Sequence, residues 1–345
     1  MIYFLFIVDY ILKIKIKMFC NIKTNIEKIN LKDYQIGEKI GKFNYGYLVF
    51  AKKITTNKIF SVKIFKKSQI LQDKPASHVT NEYTNLLQIY HPFIIELKAI
   101  NNTDPYNLYL FFEYILGKPL RFYIKINQKL SLEYARFYLA CLITVLDYLH
   151  KKNIIYRDLK PENILINSDG YIKLIDFTFS KKLEKDLTYS IVGLPEYYSP
   201  EMINQTGHNK SIDFWQLGIL LYEMLVGNTP FIDSNPINLY HKIKKGKIKF
   251  PKGINKDAKL IIKHFLNVDM NRRLGCTKRG ILDIIKEPFF NDFDWEKLLH
   301  RTLEPPFIPK VNREKYNFNG RLFEDDYLQG NEISIPKEKD IFYNW

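Results

Sequence analysis

Hydrophobic and polar positions alternate along much of residues 34–111, the period of half-buried strands. Tyr34 to Lys53 and Phe60 to Lys66 carry the alternation, with β-branched and aromatic residues around Gly41, Gly46 and Asn57. One segment departs from it: Ala76 to Tyr90 has helical character and contains Glu82. Phe111 to Gly117 ends a strand and starts a connector. Beyond it the spacing becomes helical. Leu132 to Lys151 sets Tyr134, Phe137, Tyr138, Cys141, Leu142 and Val145 at intervals that share a helix face. Asp213 to Val226 and Asp257 to Leu266 read as further helices. From Asn291 the chain becomes Pro-rich (Pro305, Pro306, Pro309) and then acidic (Glu324, Asp325, Asp326), which reads as an extended tail. No internal repeat is visible. The pattern predicts an α+β chain. A small β-rich lobe with one main helix comes first, then a hinge near Glu113 to Gly117, then a larger, mainly helical lobe.

With 345 residues, 46% of them hydrophobic, the chain can build a large core or two lobes sharing a cleft. Its formal charge is +15, from 52 basic and 37 acidic residues. The lysines are scattered among Ile and Asn without a basic block, so no nucleic-acid partner is expected. Cys20, Cys141 and Cys276 lie far apart, without metal or redox spacing, which points to a reducing, cytoplasmic compartment, with the nucleus also open. The first residues, MIYFLFIVDYIL, are apolar but interrupted by Asp9. A spanning helix needs roughly 20 apolar residues. No basic n-region or small-residue cleavage site is present, and Ile2 excludes N-myristoylation. This stretch reads as a docking segment, or as an over-long start with Met18 the true one; no stable membrane insertion is expected.

Candidate chemistry begins at Ile40-Gly41-Lys42-Phe43-Asn44-Tyr45-Gly46-Tyr47-Leu48, between two expected strands. Glycines there let a backbone close over phosphates and offer N–H donors. Alone, a two-glycine loop is weak evidence, and an ordinary hairpin is the better reading. The loop gains weight from Ser61-Val62-Lys63-Ile64 and from Glu82, nineteen residues after Lys63. A Lys–Glu pair between strand and helix would aim the ammonium at the α- and β-phosphates of a nucleotide. Then Ile155-Tyr156-Arg157-Asp158-Leu159-Lys160-Pro161-Glu162-Asn163 sets a carboxylate, a lysine and an amide at fixed spacing on one loop. Asp176, in Leu174-Ile175-Asp176-Phe177, follows eighteen residues after Asp158. In type, order and spacing these residues resemble the loops with which protein kinases transfer a phosphoryl group from ATP to a protein hydroxyl, and the roles that follow are what that resemblance implies. Asp158 would take or orient the hydroxyl proton and Lys160 would neutralise the moving γ-phosphate. Asn163 and Asp176 would hold Mg²⁺ through oxygen.

Three more blocks complete the set: Gly193-Leu194-Pro195-Glu196-Tyr197-Tyr198-Ser199-Pro200-Glu201, Asp213-Phe214-Trp215-Gln216-Leu217-Gly218, and Arg273 in Asn271-Arg272-Arg273-Leu274-Gly275. On these motifs the sequence, from about Tyr34 to its end, resembles the AGC group of serine/threonine protein kinases. Tyr156 at the head of its loop, Pro306-Phe307-Ile308-Pro309-Lys310 and the terminal Phe342-Tyr343-Asn344-Trp345 resemble the cAMP-dependent branch. The resemblance implies a bilobal kinase fold over 34–290 (lobes 34–113 and 118–290), an N-terminal segment 1–33 and a tail 291–345 that docks back onto the small lobe. It implies ATP and Mg²⁺ as cofactors. Nucleotide contacts would come from residues 40–48 (Ile40, Gly41, Lys42, Phe43, Asn44, Tyr45, Gly46, Tyr47, Leu48), from Ser61, Lys63 and Glu82, and from Glu113, Ile115 and Leu165. It implies a Glu201–Arg273 ion pair and an Asp213 brace under the catalytic loop. Ser190 stands at the activation-loop phosphosite, where a phosphate would meet Arg157, His78 and a lysine near Lys181. Glu162 and Glu223 would bind a substrate arginine two residues before the phosphosite. Tyr189 stands where the family docks a cAMP-binding regulatory subunit, which makes such a subunit a candidate partner.

Four substitutions against the family pattern matter most. Phe43 replaces a phosphate-loop glycine, Thr178 the glycine of D-F-G, and Leu194 a threonine that contacts the catalytic aspartate and lysine. Pro119 replaces an acidic residue that binds an arginine at minus three, and Leu328 after Tyr327 removes another partner. A side chain forced to positive φ costs roughly 1–2 kcal/mol, about tenfold in rate. Loss of an acid–base group costs about 10²–10⁴-fold, and those groups are all present. The expectation is therefore a slower or divergent kinase, acting on basic substrates with a weakened minus-three requirement and an apolar residue after the Ser/Thr. An ATP-binding pseudokinase scaffold is the alternative.

Overall fold

The structure is a computed structural model. It describes residues 26–43, 45–73, 76–310, 318, 334–343 and 345. The N-terminal stretch with Met18 and Cys20, Asn44, the acidic block at 324–326, Tyr327, Leu328 and Asn344 lie outside the described residues. The chain forms two compact units that divide between Leu116 and Gly117, with residues 91–94 belonging to the second.

The small unit is a six-stranded sheet in the order β1-β5-β6-β4-β3-β2: β1 Glu27–Lys28, β2 Tyr34–Phe43, β3 Gly46–Lys53, β4 Ile59–Lys66, β5 Leu97–Asn101 and β6 Asn107–Glu113. Only β1 and β5 pair parallel. The period-2 pattern is realised on β4, where Phe60, Val62 and Ile64 turn into a cluster with Tyr34, Ile36, Val49, Ala51 and Phe111. Ser61 and Lys63 take the opposite face. Two helices follow β4, α1 (Lys67–Asp73) and α2 (Ala76–Gln88). The second is the expected helix, ending two residues earlier; α1 is a two-turn element too short to show a period.

The large unit is mainly helical. It runs β7 (Gly117–Pro119), α3 (Leu120–Asn127), α4 (Leu132–Lys151), β8 (Ile154–Ile155), β9 (Ile164–Asn167), β10 (Ile172–Leu174) and β11 (Lys181–Lys182). Then come α5 (Pro200–Asn204), α6 (Ser211–Val226), α7 (Pro236–Lys245), α8 (Lys256–Phe265), α9 (Ile281–Ile285) and α10 (Trp295–His300). Ser131 caps α4, accepting from Tyr134 N at 3.2 Å. Helix α6 is apolar on nearly every side and is buried from Ser211 through Leu225, which makes it the unit's core helix. Helix α10 lies in a stretch expected to be extended. Asp294 caps it, and Trp295 is buried against Phe290 and Phe293, so an aromatic cluster overrides the loop-like composition. Downstream, Phe307 packs on Tyr123 and Tyr134. Among the described residues no helix is long and apolar enough to cross a membrane.

Candidate active site

In the small unit, β2 and β3 form a tight hairpin with Phe43 paired to Gly46. A Cβ at Gly46 would stand 1.8 Å from the carbonyl oxygen of Ile64, so glycine is required there by the neighbouring strand. A Cβ at Gly41 would meet only Leu48, at an ordinary 3.7 Å. Neither Phe43 nor Thr178 has positive φ. The backbone strain expected at both substitutions is therefore absent. Phe43 is accommodated by laying its ring 5.0 Å from that of Phe65, with Lys63 Nζ 5.9 Å from its centroid.

Cross-strand pairing aligns Leu48 with Lys63 and Phe50 with Ser61, which puts Leu48, Ser61 and Lys63 on one sheet face. Lys63 Nζ donates to Glu82 Oε1 at 2.6 Å, and Glu82 is buried on α2. A buried carboxylate needs such a partner. Glu113 closes β6 by accepting from Glu96 N at 3.0 Å, and Ile115 is buried just beyond.

The C-terminal residues pack on this same unit. Phe342 is buried, and Trp345 stacks on Tyr83 of α2 with centroids 4.3 Å apart and planes at 3°. Asn102 Nδ2 donates to the carbonyls of Phe342, Tyr343 and Trp345. Lys67, fully buried, donates to Asp340 Oδ2 at 2.6 Å and to the carbonyls of Asn102 and Asp104. The docking that the aromatic terminus suggested is thus present. Lys67 and Asn102 carried no sequence signal for it, because their partners lie more than 230 residues away.

In the large unit, the loop after β8 is hung from α6. Asp213 accepts from Tyr156 N (3.0 Å), Arg157 N (2.8 Å) and His150 Nε2 (2.7 Å). Gln216, one helical turn on, donates to the Arg157 carbonyl and accepts from Leu159 N, each at 3.0 Å. Those bonds hold Arg157 at φ 70°, a left-handed conformation costly for a side-chain residue. Sequence reasoning named Asp213 but missed Gln216; its place three residues on, on the same helix face, was the available signal.

Asp158 Oδ2 accepts from Lys160 Nζ at 2.7 Å and from Asn163 Nδ2 at 2.8 Å. Burial pushes the Asp158 carboxyl up; Lys160 and Asn163 pull it down, and Asp176 adds to the rise. Gly193, at φ 94°, lies against this carboxylate: a Cβ there would be 3.2 Å from Asp158 Oδ1. Leu194, beside it, is 40% exposed and has no polar group to offer Asp158 or Lys160. Asp176 stands at φ 58°, with the hydroxyl of Tyr156 on the preceding Ile175 carbonyl at 2.6 Å. Thr178 Oγ1 donates to Asp176 Oδ1 at 2.6 Å. The D-F-G departure therefore adds an anchor to the aspartate, which the sequence reading did not foresee. Leu165 lies on β9, paired with Lys173 and Pro119.

Asn163 turns its nitrogen to Asp158, so its Oδ1 is the end that can meet a cation. With a carboxylate at Asp176, this is a hard oxygen donor set suited to Mg²⁺, which binds through one or two protein oxygens plus phosphates and water. Among the described residues no group of three His, Cys, Asp or Glu forms a self-sufficient metal cage.

Arg157 also reaches the activation segment. Its Nη1 donates to Ser190 Oγ at 2.6 Å and its Nε to the Phe179 carbonyl at 2.7 Å. Burial lowers the guanidinium to about 10, against Asp213, which raises it. Lys181 Nζ donates to Thr188 at 2.9 Å; His78 lies on α2 of the small unit. Glu201 and Arg273 form a buried bidentate pair at 2.6 and 2.9 Å. Burial alone would raise the Glu201 carboxyl, but Arg273 outweighs it and holds the group below its ordinary value. Arg121 of α3 bridges Glu162, at 2.6 Å, and Glu223, to which the Tyr197 hydroxyl also donates.

The order of these elements defines a protein kinase domain, and the family model for that domain matches residues 34–290: the chain belongs to the protein kinase domain family. Within it, the chain is 39% identical over 298 residues to a cAMP-dependent protein kinase catalytic subunit of Dictyostelium discoideum, covering 86% of this chain and 46% of that protein. It is 39% identical over 289 residues to catalytic subunit 3 of Drosophila melanogaster, covering 84% and 49%. With the human catalytic subunit PRKX it shares 38% over 316 residues, 92% of this chain and 88% of the relative. The chain thus spans about half the length of the first two relatives and most of the third.

Proposed function

We propose that this protein is an ATP- and Mg²⁺-dependent serine/threonine protein kinase, similar in action to the cAMP-dependent catalytic subunits. The observation that carries it is the loop Asp158–Asn163, with its carboxylate, lysine and amide bonded to one another and pinned by Asp213 and Gln216. Asp158 accepts the proton of the substrate hydroxyl as it attacks. The upward push of burial suits this role, since a base works best with a pKa nearer the working pH. Lys160 neutralises charge on the transferred phosphoryl group. Lys63, fixed by Glu82, orients the α- and β-phosphates. Asn163 and Asp176 would hold the metal, whose positive charge would offset that of the phosphates. Residues 40–48, Ser61, Glu113, Ile115 and Leu165 contact the nucleotide. The tolerance for a Cβ at Gly41 supports that reading, because packing does not demand glycine there.

Ser190 is proposed as an activating phosphosite, supported by the buried Arg157 guanidinium already on its hydroxyl. Exposed Tyr189, beside it, is proposed as the docking aromatic for a cAMP-binding regulatory partner. The substrates are proposed to be proteins. A preference for basic residues would rest on Glu162 and Glu223 alone, because position 119 is proline, and Arg121 already bridges that pair. Free Cys141 and Cys276 support a reducing, cytoplasmic setting with nuclear access. The test is transfer of the γ-phosphate of ATP to a serine peptide with Mg²⁺ present. Incorporation into phosphoserine that disappears on chelation is the expected result; ATP binding without incorporation would support a scaffold instead.

A further inference from the structure

The acidic pair Glu162 and Glu223 already holds an arginine. Arg121 Nε donates to Glu162 Oε1 at 2.6 Å, and its Nη1 donates to Glu223 Oε1. Glu223 is the floor of this socket, 3% exposed and also bound by the Tyr197 hydroxyl; Glu162 is its rim, 42% exposed. One acceptor, Glu162 Oε2, is buried with no hydrogen-bond partner among the described residues.

The backbone fixes the arginine's approach. Arg121 is the second residue of α3, whose C-terminal loop packs tightly on the end of α6, the helix that carries Glu223. Leu130 N donates to the Met224 carbonyl at 2.6 Å, and a Cβ at Gly227 would stand 2.1 Å from the Gln128 carbonyl oxygen. A buried glutamate needs a cation, and the planar fork of Arg121 meets both carboxylates at once.

The position of the socket is equally fixed. Glu162 follows Asp158 by four residues on one loop, so their Cα atoms are within about 14 Å, the reach of a few extended residues. A peptide whose hydroxyl is held at Asp158 would pass within side-chain reach of Glu162.

We infer that Arg121 is a built-in stand-in for a substrate arginine: it fills the socket, so the protein does not select a basic residue two positions before the phosphorylated serine. The inference rests on the kinase reading above and narrows its substrate class. With Pro119 offering no carboxylate, no acidic group to select a basic residue at minus two or minus three is left among the described residues, and substrate choice passes to other positions. Removing Arg121 exposes an anionic socket of arginine size and creates the selection that the wild type lacks.

The test uses serine peptides that differ only at minus two (Arg, Lys, Ala, Glu), with full-length wild type, Arg121→Ala and Arg121→Met, the last keeping the side-chain stem. Wild type is expected to use the Arg and Ala peptides within about twofold of one another. Each variant is expected to prefer the Arg peptide by about tenfold or more in kcat/KM, chiefly through KM, the ratio that a charge-assisted hydrogen bond supplies. Adding Glu223→Gln to Arg121→Met should erase the preference. A wild type with strong minus-two arginine selection would overturn the inference and leave the kinase reading standing. Active variants with no gained selection would overturn it too. No incorporation into any peptide by wild type would remove the kinase reading and the inference together.

Discussion

Thr178 shows how a departure from a family pattern can change its meaning once side chains are placed. By sequence it is a glycine replaced, with strain expected. In the structure its φ is ordinary and its hydroxyl holds Asp176. A hydrogen bond that orients a metal-binding carboxylate typically accounts for 10–100-fold in metal affinity. Thr178→Val keeps the shape and removes the hydroxyl; the Mg²⁺ concentration for half-maximal activity should rise about tenfold, read from a metal titration at saturating ATP, and an unchanged midpoint would deny Thr178 that role. Asp158 carries a second prediction at this scale. Burial raises its carboxyl, so protonation begins at a higher pH than for an exposed aspartate. The acid limb of kcat/KM should therefore fall above the ordinary aspartate value, and a limb at or below it would mean that the charge of Lys160 dominates. Residue types and spacing made Asp158, Lys160, Asn163, Asp176, Lys63 and Glu82 legible. They could not show that Arg121 occupies Glu162 and Glu223, because that contact joins positions 41 and 102 residues apart, with no local pattern.

Helix α2 joins two features that sequence reading treats separately. Glu82 faces Lys63, and the next residue, Tyr83, stacks on Trp345. The placement of the Lys63–Glu82 pair is thereby coupled to a terminus more than 250 residues downstream. Burying and stacking an aromatic ring stabilises a contact by about 2–4 kcal/mol. Trp345→Ala should release residues 334–345 to faster amide exchange and lower kcat/KM about tenfold; exchange and activity both at wild-type level would refute the coupling. Long elements with a clear period, such as α4 and α6, were readable within two residues of their ends. The seven-residue α1 and six-residue α10 were not, since each depends on tertiary contacts: Lys67 on Asp340, and Trp295 on Phe290.

At the scale of the whole molecule, the pattern change near residue 117 matches the division between a β-rich unit and a mainly helical one. The large unit is anchored by the buried Glu201–Arg273 pair, which also ties Ser211 and Asn267 and sits on the Trp215 ring. Breaking one side of such a pair leaves an uncompensated buried charge. Arg273→Met should cost about 3–5 kcal/mol in urea unfolding, and Glu201→Met added to it should recover much of that loss. Because the Glu201 carboxyl is held below its ordinary value when folded, the pair's contribution is present above the unfolded glutamate pKa. It is lost as pH falls through the folded one, and a pH-independent stability difference would contradict this.

Whether the loop carrying Asp158 supports phosphate transfer is read from γ-phosphate incorporation into a serine peptide, wild type beside Asp158→Asn, at equal protein and saturating ATP and Mg²⁺. The amide keeps the size of the side chain and can still bond Lys160 or Asn163, but it cannot take a proton. The expected result is a fall in kcat of about 10²–10⁴-fold with ATP affinity retained; equal rates for the two proteins would rule out Asp158 as the catalytic base.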